Sequence, residues 1–282
     1  MSRFLTTLLL LLLLAGCDKP GHDANVAGGH NHTEGEEHDH SGDDEHVDRS
    51  QHLIHFNDTD ELYLQYETLV ARRDSIFLAH FTDLSDYTPI PDGFITIKLS
   101  GGGLPDETFS GKRPVRAGIH IEVALPQHAG ERQLTLQLHS PAMATTHELG
   151  TVTVYPSYEA SKNVAPPVTP ANAIYLEKEA QWQAGFMIQR PTVNTQQQLT
   201  LPATAIDTNH DEHFIYLMQG AEFFERRQVT TEGQHHGEVV ITQGVTLDDR
   251  IVVLGARTLF TGDEAAALKS ESTPEDGHSH KH

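Results

Sequence analysis

The sequence predicts an all-β protein with two folded parts, a β-sandwich over residues 52–158 and a second β-domain over 172–262, flanked by disordered His-rich ends. Three observations predict it. Short runs alternate apolar and polar side chains, as in Phe94-Ile-Thr-Ile-Lys-Leu99, which is the period of a strand with one buried face. Clusters such as Pro91-Asp92-Gly93 and Gly101–Gly103 separate the runs and mark turns. No stretch carries heptads long enough for a helical hairpin.

Residues 1–16 come first. Arg3 supplies a positive start and Phe4–Leu14 an apolar run. That run is too short to span a hydrocarbon core of ~30 Å as a stable helix, so it reads as an export signal. Leu14-Ala15-Gly16-Cys17 resembles the lipobox of bacterial lipoproteins. The resemblance implies cleavage before Cys17, diacylation of Cys17, and anchoring by its acyl groups. Asp18 is similar to the signal that keeps such lipoproteins in the inner membrane of two-membrane bacteria. The expected location is therefore the periplasm, lipid-anchored to that membrane.

Residues 17–51 form the anchor and a tether. From 18 to 51 there are ten acids and two bases, with no Phe, Tyr, Trp, Leu or Ile, so nothing there builds a core. His22, His30, His32, His38, His40 and His46 lie in this segment, with His52 and His55 just after it. His30-x-His32 and His38-x-His40 are spaced so that two imidazoles can close on one ion. The tail 263–282 repeats the pattern with His278, His280 and His282. Neutral imidazole suits Zn, Co, Ni, Cd or Cu(II). These ions are expected as exchangeable cargo, not as a catalytic cofactor. A plain solvating linker is the bland alternative.

Within 52–158 the strand candidates are Leu62–Tyr66, Ile76–Phe81, Phe94–Leu99, Ile119–Leu125, Leu134–Leu138 and Thr151–Tyr155. So many short strands without a long helix read as a sandwich. Ile76–Phe81 reads as apolar on both faces. His80, His120, His139 and His147 lie on these strands and are expected to be packed or surface residues. His147-Glu148 lacks a second His at 151, so a zinc protease motif fails. Residues 159–171 form a Pro-rich linker. In 172–262, Ala173–Trp182 predicts a strand and one or two helical turns. Phe214–Met218, Phe223–Val229, Val239–Gly244 and Arg250–Ala256 follow as strands. Asp207, His210, Asp211, Glu212 and His213 crowd one loop, and His235 and His236 occupy a later turn. His210 and His213 would share an ion if their loop made one helical turn; a solvated hairpin tip with chance charges is the plainer reading of the same residues.

The stretch beginning Leu62-Tyr-Leu-Gln-Tyr66 and running to Gly103, with Ala129–Pro141 and Thr146–Tyr155, resembles the extra N-terminal domain of periplasmic adaptors. These are the membrane fusion subunits of heavy-metal RND efflux pumps of the cobalt-zinc-cadmium type. Leu176-Glu-Lys-Glu-Ala-Gln-Trp182 is similar to that family's Leu-Lys-Glu-Gln-Gln-Trp signature, and the last strands look like its membrane-proximal β-domain. Asp248 stands where the family usually has Gly, and is expected to tolerate a left-handed turn there. Complete adaptors insert a lipoyl domain, helical hairpin and barrel after the signature. Here only Thr192–Thr200 separates Pro191 from the strands that follow. A decaying gene is the alternative explanation of that gap.

Composition narrows the function. The balance of 19 Lys+Arg against 40 Asp+Glu gives a net charge of −21, which repels phosphate backbones and excludes nucleic acid as a partner. No nucleophile elbow, P-loop or dinucleotide fingerprint is present, so no enzyme is expected. The resemblance implies a periplasmic metal-binding accessory or truncated adaptor of a heavy-metal RND system. Its partners would be the inner-membrane pump, the membrane through its acyl groups, and a full-length adaptor. The alternative is a periplasmic zinc-binding protein that delivers metal to an importer.

Overall fold

A computed structural model describes residues 50–259. The expected signal, Cys17, and nine His (His22, His30, His32, His38, His40, His46, His278, His280 and His282) lie outside the described residues.

The chain is all-β, and its first eight strands form a sandwich. They are β1 (Gln51–Phe56), β2 (Asp60–Tyr66), β3 (Ser75–Asp83), β4 (Phe94–Ser100), β5 (Glu107–Ser110), β6 (Ile119–Ala124), β7 (Gly130–His139) and β8 (Ala144–Val154). One antiparallel sheet runs β1-β2-β3-β6 and the other β5-β4-β7-β8. Alternation explains the core. Ile95, Ile97 and Leu99 on β4 share an inward face with Leu134, Leu136 and Leu138 on β7. They meet Leu62, Leu64, Phe77 and Phe81 from the facing sheet. Each such buried side chain contributes about 1.5–3 kcal/mol of transfer free energy.

Two sequence expectations change here. β1 was not among the strand candidates, yet it pairs with β2 along its whole length, Gln51 opposite Tyr66 and Phe56 opposite Glu61. Its polar, His-containing sequence carries little alternation, so register with β2 decides it. The apolar character of both faces of Ile76–Phe81 does not translate into burial at one end. Ile76 is 47% exposed, because none of the described residues covers that end of the sheet's outer face.

A short helix α1 (Tyr158–Ser161) begins the connection to the second part. There follow β9 (Ile174–Tyr175), α2 (Lys178–Gln183), β10 (Met187–Gln189), β11 (Thr192–Val193), β12 (Leu199–Pro202), β13 (Asp207–Asn209), β14 (Glu212–Gly220), β15 (Phe223–His235), β16 (Glu238–Gln243) and β17 (Ile251–Leu254). The sheet order is β10-β17-β14-β15-β16-β12-β11, with β13 on β14 and β9 on β15. β15 carries register shifts at Thr230/Thr231 and Thr231/Gln234, and such bulges bend a strand and increase its twist. Both faces of the curled sheet are buried. Ile215, Leu217, Ile251 and Val253 pack on one side. Tyr216, Val252, Phe224 and Ile188 pack on the other. A five-residue turn, Asn194–Gln198, joins β11 to β12.

The turn before β17 survives, but not by the expected means. Asp248 is not among the residues with positive φ. The turn is closed instead by Asp249, whose Oδ2 accepts from the Thr246 N–H at 2.8 Å. Among the described residues no helix is long and apolar enough to cross a membrane.

Candidate functional site

The signature segment builds a docking seam between sandwich and curled sheet. Helix α2 is only six residues long, so its own hydrogen bonds cannot hold it. Its side chains do. Lys178 and Glu61 of β2 form an ion pair in which both side chains are 2% exposed. Gln181 Nε2 donates to the carbonyls of Leu176 and Ala221, both at 2.8 Å. Trp182 Nε1 donates to Thr82 Oγ1 on β3 at 2.9 Å. Tyr87 Oη donates to the Ile188 carbonyl at 2.7 Å, and the Arg250 guanidinium lies 3.3 Å over the Phe56 ring. At Gly118, φ is +75° and a Cβ would stand 2.6 Å from Pro89 Cβ and 2.8 Å from the Trp182 ring. The tryptophan therefore requires glycine there.

Glu222 is the polar centre of this seam. Its Oε1 accepts from the Lys178 backbone N–H at 2.9 Å. Its Oε2 accepts from Tyr63 Oη at 3.1 Å and from Tyr175 Oη at 3.4 Å. Burial and the Glu222 carboxylate push the Tyr63 phenol far above its ordinary range. His80 stacks on Tyr63 with centroids 5.5 Å apart. Burial holds its imidazole below the usual value, although Glu179 and Glu222 oppose this. A cavity of about 620 Å³ opens beside Tyr63 and Glu222, roofed by Pro166, Pro167 and Val168. The arrangement can hold two β-structures in fixed register.

The His residues fall into distinct settings. His52 Nδ1 lies 3.2 Å from Tyr63 Oη and its Nε2 lies 2.8 Å from Ser50 Oγ. His55 meets His147, which is expected from the sequence to be a packed or surface residue. Their Nδ1 atoms are 2.9 Å apart, and His147 Nε2 is 2.8 Å from Asp60 Oδ2. Burial first, and then the nearness of the His147 imidazole, lower the His55 pKa. Burial alone would raise that of Asp60, but its hydrogen bond and charge interaction with His147 hold it below the usual carboxylate range.

His210 and His213 do not meet the helical-turn condition. His210 and Asp211 form the two-residue turn of the β13–β14 hairpin, with His210 at φ 56°. His213 sits on β14 opposite Thr208, its Nδ1 3.2 Å from Thr208 Oγ1. A tight hairpin satisfies the backbone better here than one isolated helical turn. His235 ends β15. His236 and Gly237, both at positive φ, make the turn to β16. Among the described residues no group of three His, Cys, Asp or Glu is arranged to hold a metal ion. His80, His120 and His147 are buried as expected of strand residues, and His139 stacks on Phe94 at 4.7 Å.

Part of the chain is similar to proteins named Multidrug resistance protein MdtA. The match to the one from Pantoea ananatis is 31% identical over 93 residues, 32% of this chain. For the one from Cronobacter turicensis it is 27% over 97 residues, 34% of this chain. The matched stretch spans 23% of each of those proteins. No family model matches the chain, and no solved structure matches it. About a third of this all-β chain is thus similar to curated proteins named for multidrug resistance.

Proposed function

We propose that the chain is a periplasmic metal-binding accessory, or truncated adaptor, of a heavy-metal RND efflux system. It holds divalent cations near the inner-membrane pump and takes no part in catalysis. The observation that carries the efflux reading is the similarity over more than ninety residues to proteins named for multidrug resistance. The docked signature Leu176–Trp182 supports it, since the segment that resembles the adaptor family is the one that fastens the two β-structures together. The metal part rests on the His-rich segments, whose imidazoles and carboxylates suit Zn, Co, Ni, Cd or Cu(II). Cys17 would anchor the chain to the membrane through acyl groups. The pump, and a full-length adaptor beside it, would be the protein partners.

Deletion of the gene tests this against delivery to an importer. Under the efflux reading the deletion strain becomes sensitive to excess zinc, cobalt or cadmium. Tolerance returns with the intact chain, but not with one whose His22, His30, His32, His38, His40 and His46 are all Asn. A strain that instead fails only under zinc limitation would overturn the proposal in favour of import. Cys17→Ser should leave the protein unprocessed and outside the acyl-anchored fraction. Normal processing of that variant would remove the anchor from the reading.

A further inference from the structure

We propose that His55 and His147 form a divalent-metal site inside the sandwich, with Asp60 as the residue that orients it. This goes beyond the His-rich segments, because His147 and Asp60 lie in the folded core and belong to no His-rich motif. The two Nδ1 atoms converge at 2.9 Å, although the residues are 92 apart in the chain. His147 is fully buried. Its Nε2 faces Asp60 Oδ2 at 2.8 Å, so the carboxylate requires the proton on that nitrogen and leaves the Nδ1 lone pair directed at His55. A carboxylate behind the second nitrogen of an imidazole is the arrangement by which proteins fix a metal-binding His.

The Asp60 side chain is itself fixed. Thr145 Oγ1 donates to Oδ2 at 3.2 Å and Thr59 Oγ1 to Oδ1 at 3.1 Å. Its backbone N–H donates to Asn57 Oδ1 at 2.8 Å. The ring of Phe81 closes the inner side, with its centroid 5.8 Å from that of His147. His55 is only partly buried and leaves a route from solvent.

Distances fit an ion with little movement. With metal–nitrogen bonds of about 2.0–2.1 Å, two imidazoles on a tetrahedral ion have centroids about 5.2 Å apart. The His55 and His147 centroids are 5.1 Å apart, with the rings at 81°. The rings need only swing so that both lone pairs aim at one point beside the present N···N line. The single proton now shared between them moves to His55 Nε2, which becomes the outer donor. Two protein nitrogens with solvent completing the shell make a site of modest affinity, suited to cargo that must leave again. Zinc, nickel and cobalt are the ions such a nitrogen pair takes.

The test uses the full chain in which the nine His outside residues 50–259 are replaced by Asn. Zinc titration calorimetry should show one equivalent bound. His55→Gln should weaken that binding at least tenfold, and Asp60→Asn by 10–100-fold through loss of the fixed tautomer. His55→Gln is the primary variant because the side chain is partly exposed and Gln preserves a donor. Thermal melts in chelator check that each variant is folded. If the nine-Asn chain binds no zinc, or binds it equally well in both variants, the paired site is overturned. In the first case the His-rich reading of the ends still stands. If zinc binding survives the nine replacements undiminished and falls with His55→Gln, the His-rich reading fails and the paired site stands.

Discussion

On β4 of the sandwich, Ile95, Ile97 and Leu99 are buried while Phe94, Thr96 and Lys98 are not. On β14 of the curled sheet, Ile215, Tyr216 and Leu217 are buried in succession. The first pattern is that of a sheet with one solvated face. The second requires cover on both faces. β2 belongs to the sandwich yet shows the second pattern, with Asp60 through Leu64 all buried. Its outer face carries Glu61 and Tyr63, which meet Lys178 and Glu222 across the seam. Continuous burial on β2, and again at Ala79–Thr82 of β3, marks where a second structure docks. The other half of the same outer face, at Ile76, Ile121 and Val123, remains about half exposed.

The largest expected effect breaks the seam. Lys178→Met leaves the Glu61 carboxylate buried without its partner and should cost about 3–5 kcal/mol. Urea unfolding of the full chain measures it. Adding Glu61→Gln should recover most of the loss, since the penalty is the unpaired charge and not the missing bond. If the single change is silent, the seam is not a cooperative joint.

Acid should weaken the sandwich next. Burial holds the His120 imidazole down at about 4 against an ordinary 6.5. As pH falls from 6.5 towards 4 the unfolded chain takes up a proton that the folded chain refuses, so stability falls over that window. Above 6.5 both states are neutral and nothing is lost. The full effect is roughly 3 kcal/mol. Stability of wild type and His120→Gln, measured at pH 7 and pH 4.5, should differ in slope by a substantial part of that amount. Equal slopes would mean that His120 is solvated in the folded protein.

Trp182→Phe sharpens the account of the seam. It removes the hydrogen bond to Thr82 and should cost about 1–2 kcal/mol. Combining it with Thr82→Val should cost little more than either change alone, because the hydroxyl is then no longer left without its donor. Additive losses would contradict the bond. The smallest effect belongs to the exposed half of the outer face, where Ile121→Thr should change stability by no more than about 0.5 kcal/mol. A larger loss in that urea titration would show that this half is covered in solution.

Much of the sandwich was legible because its strands alternate. Phe94–Leu99 and Leu134–Leu138 announce both their strand character and their inward faces, and the positions of Ile95, Ile97, Leu134 and Leu136 in the core follow. The signature segment was legible as a strand and a short helix, and it forms β9 and α2. β1 was not legible. A stretch such as Gln51-His-Leu-Ile-His-Phe56 has no clear period and becomes a strand by pairing with β2. The spacing of His210 and His213 at i, i+3 places them on one surface only if a helix forms, and the hairpin there does not meet that condition.

Local pattern therefore determined the all-β class, most strand positions and the acidic, His-rich character of the ends. Tertiary structure alone decided which side chains meet. Glu61 and Lys178 are 117 residues apart, and His55 and His147 are 92 apart. Alternation states which face of a strand is apolar, but says nothing of the partner placed against it. Buried polar groups must find their bonds wherever the folded chain brings a partner. That requirement joined Tyr63 to Glu222, and Asp60 to His147, only once the sheets had been packed.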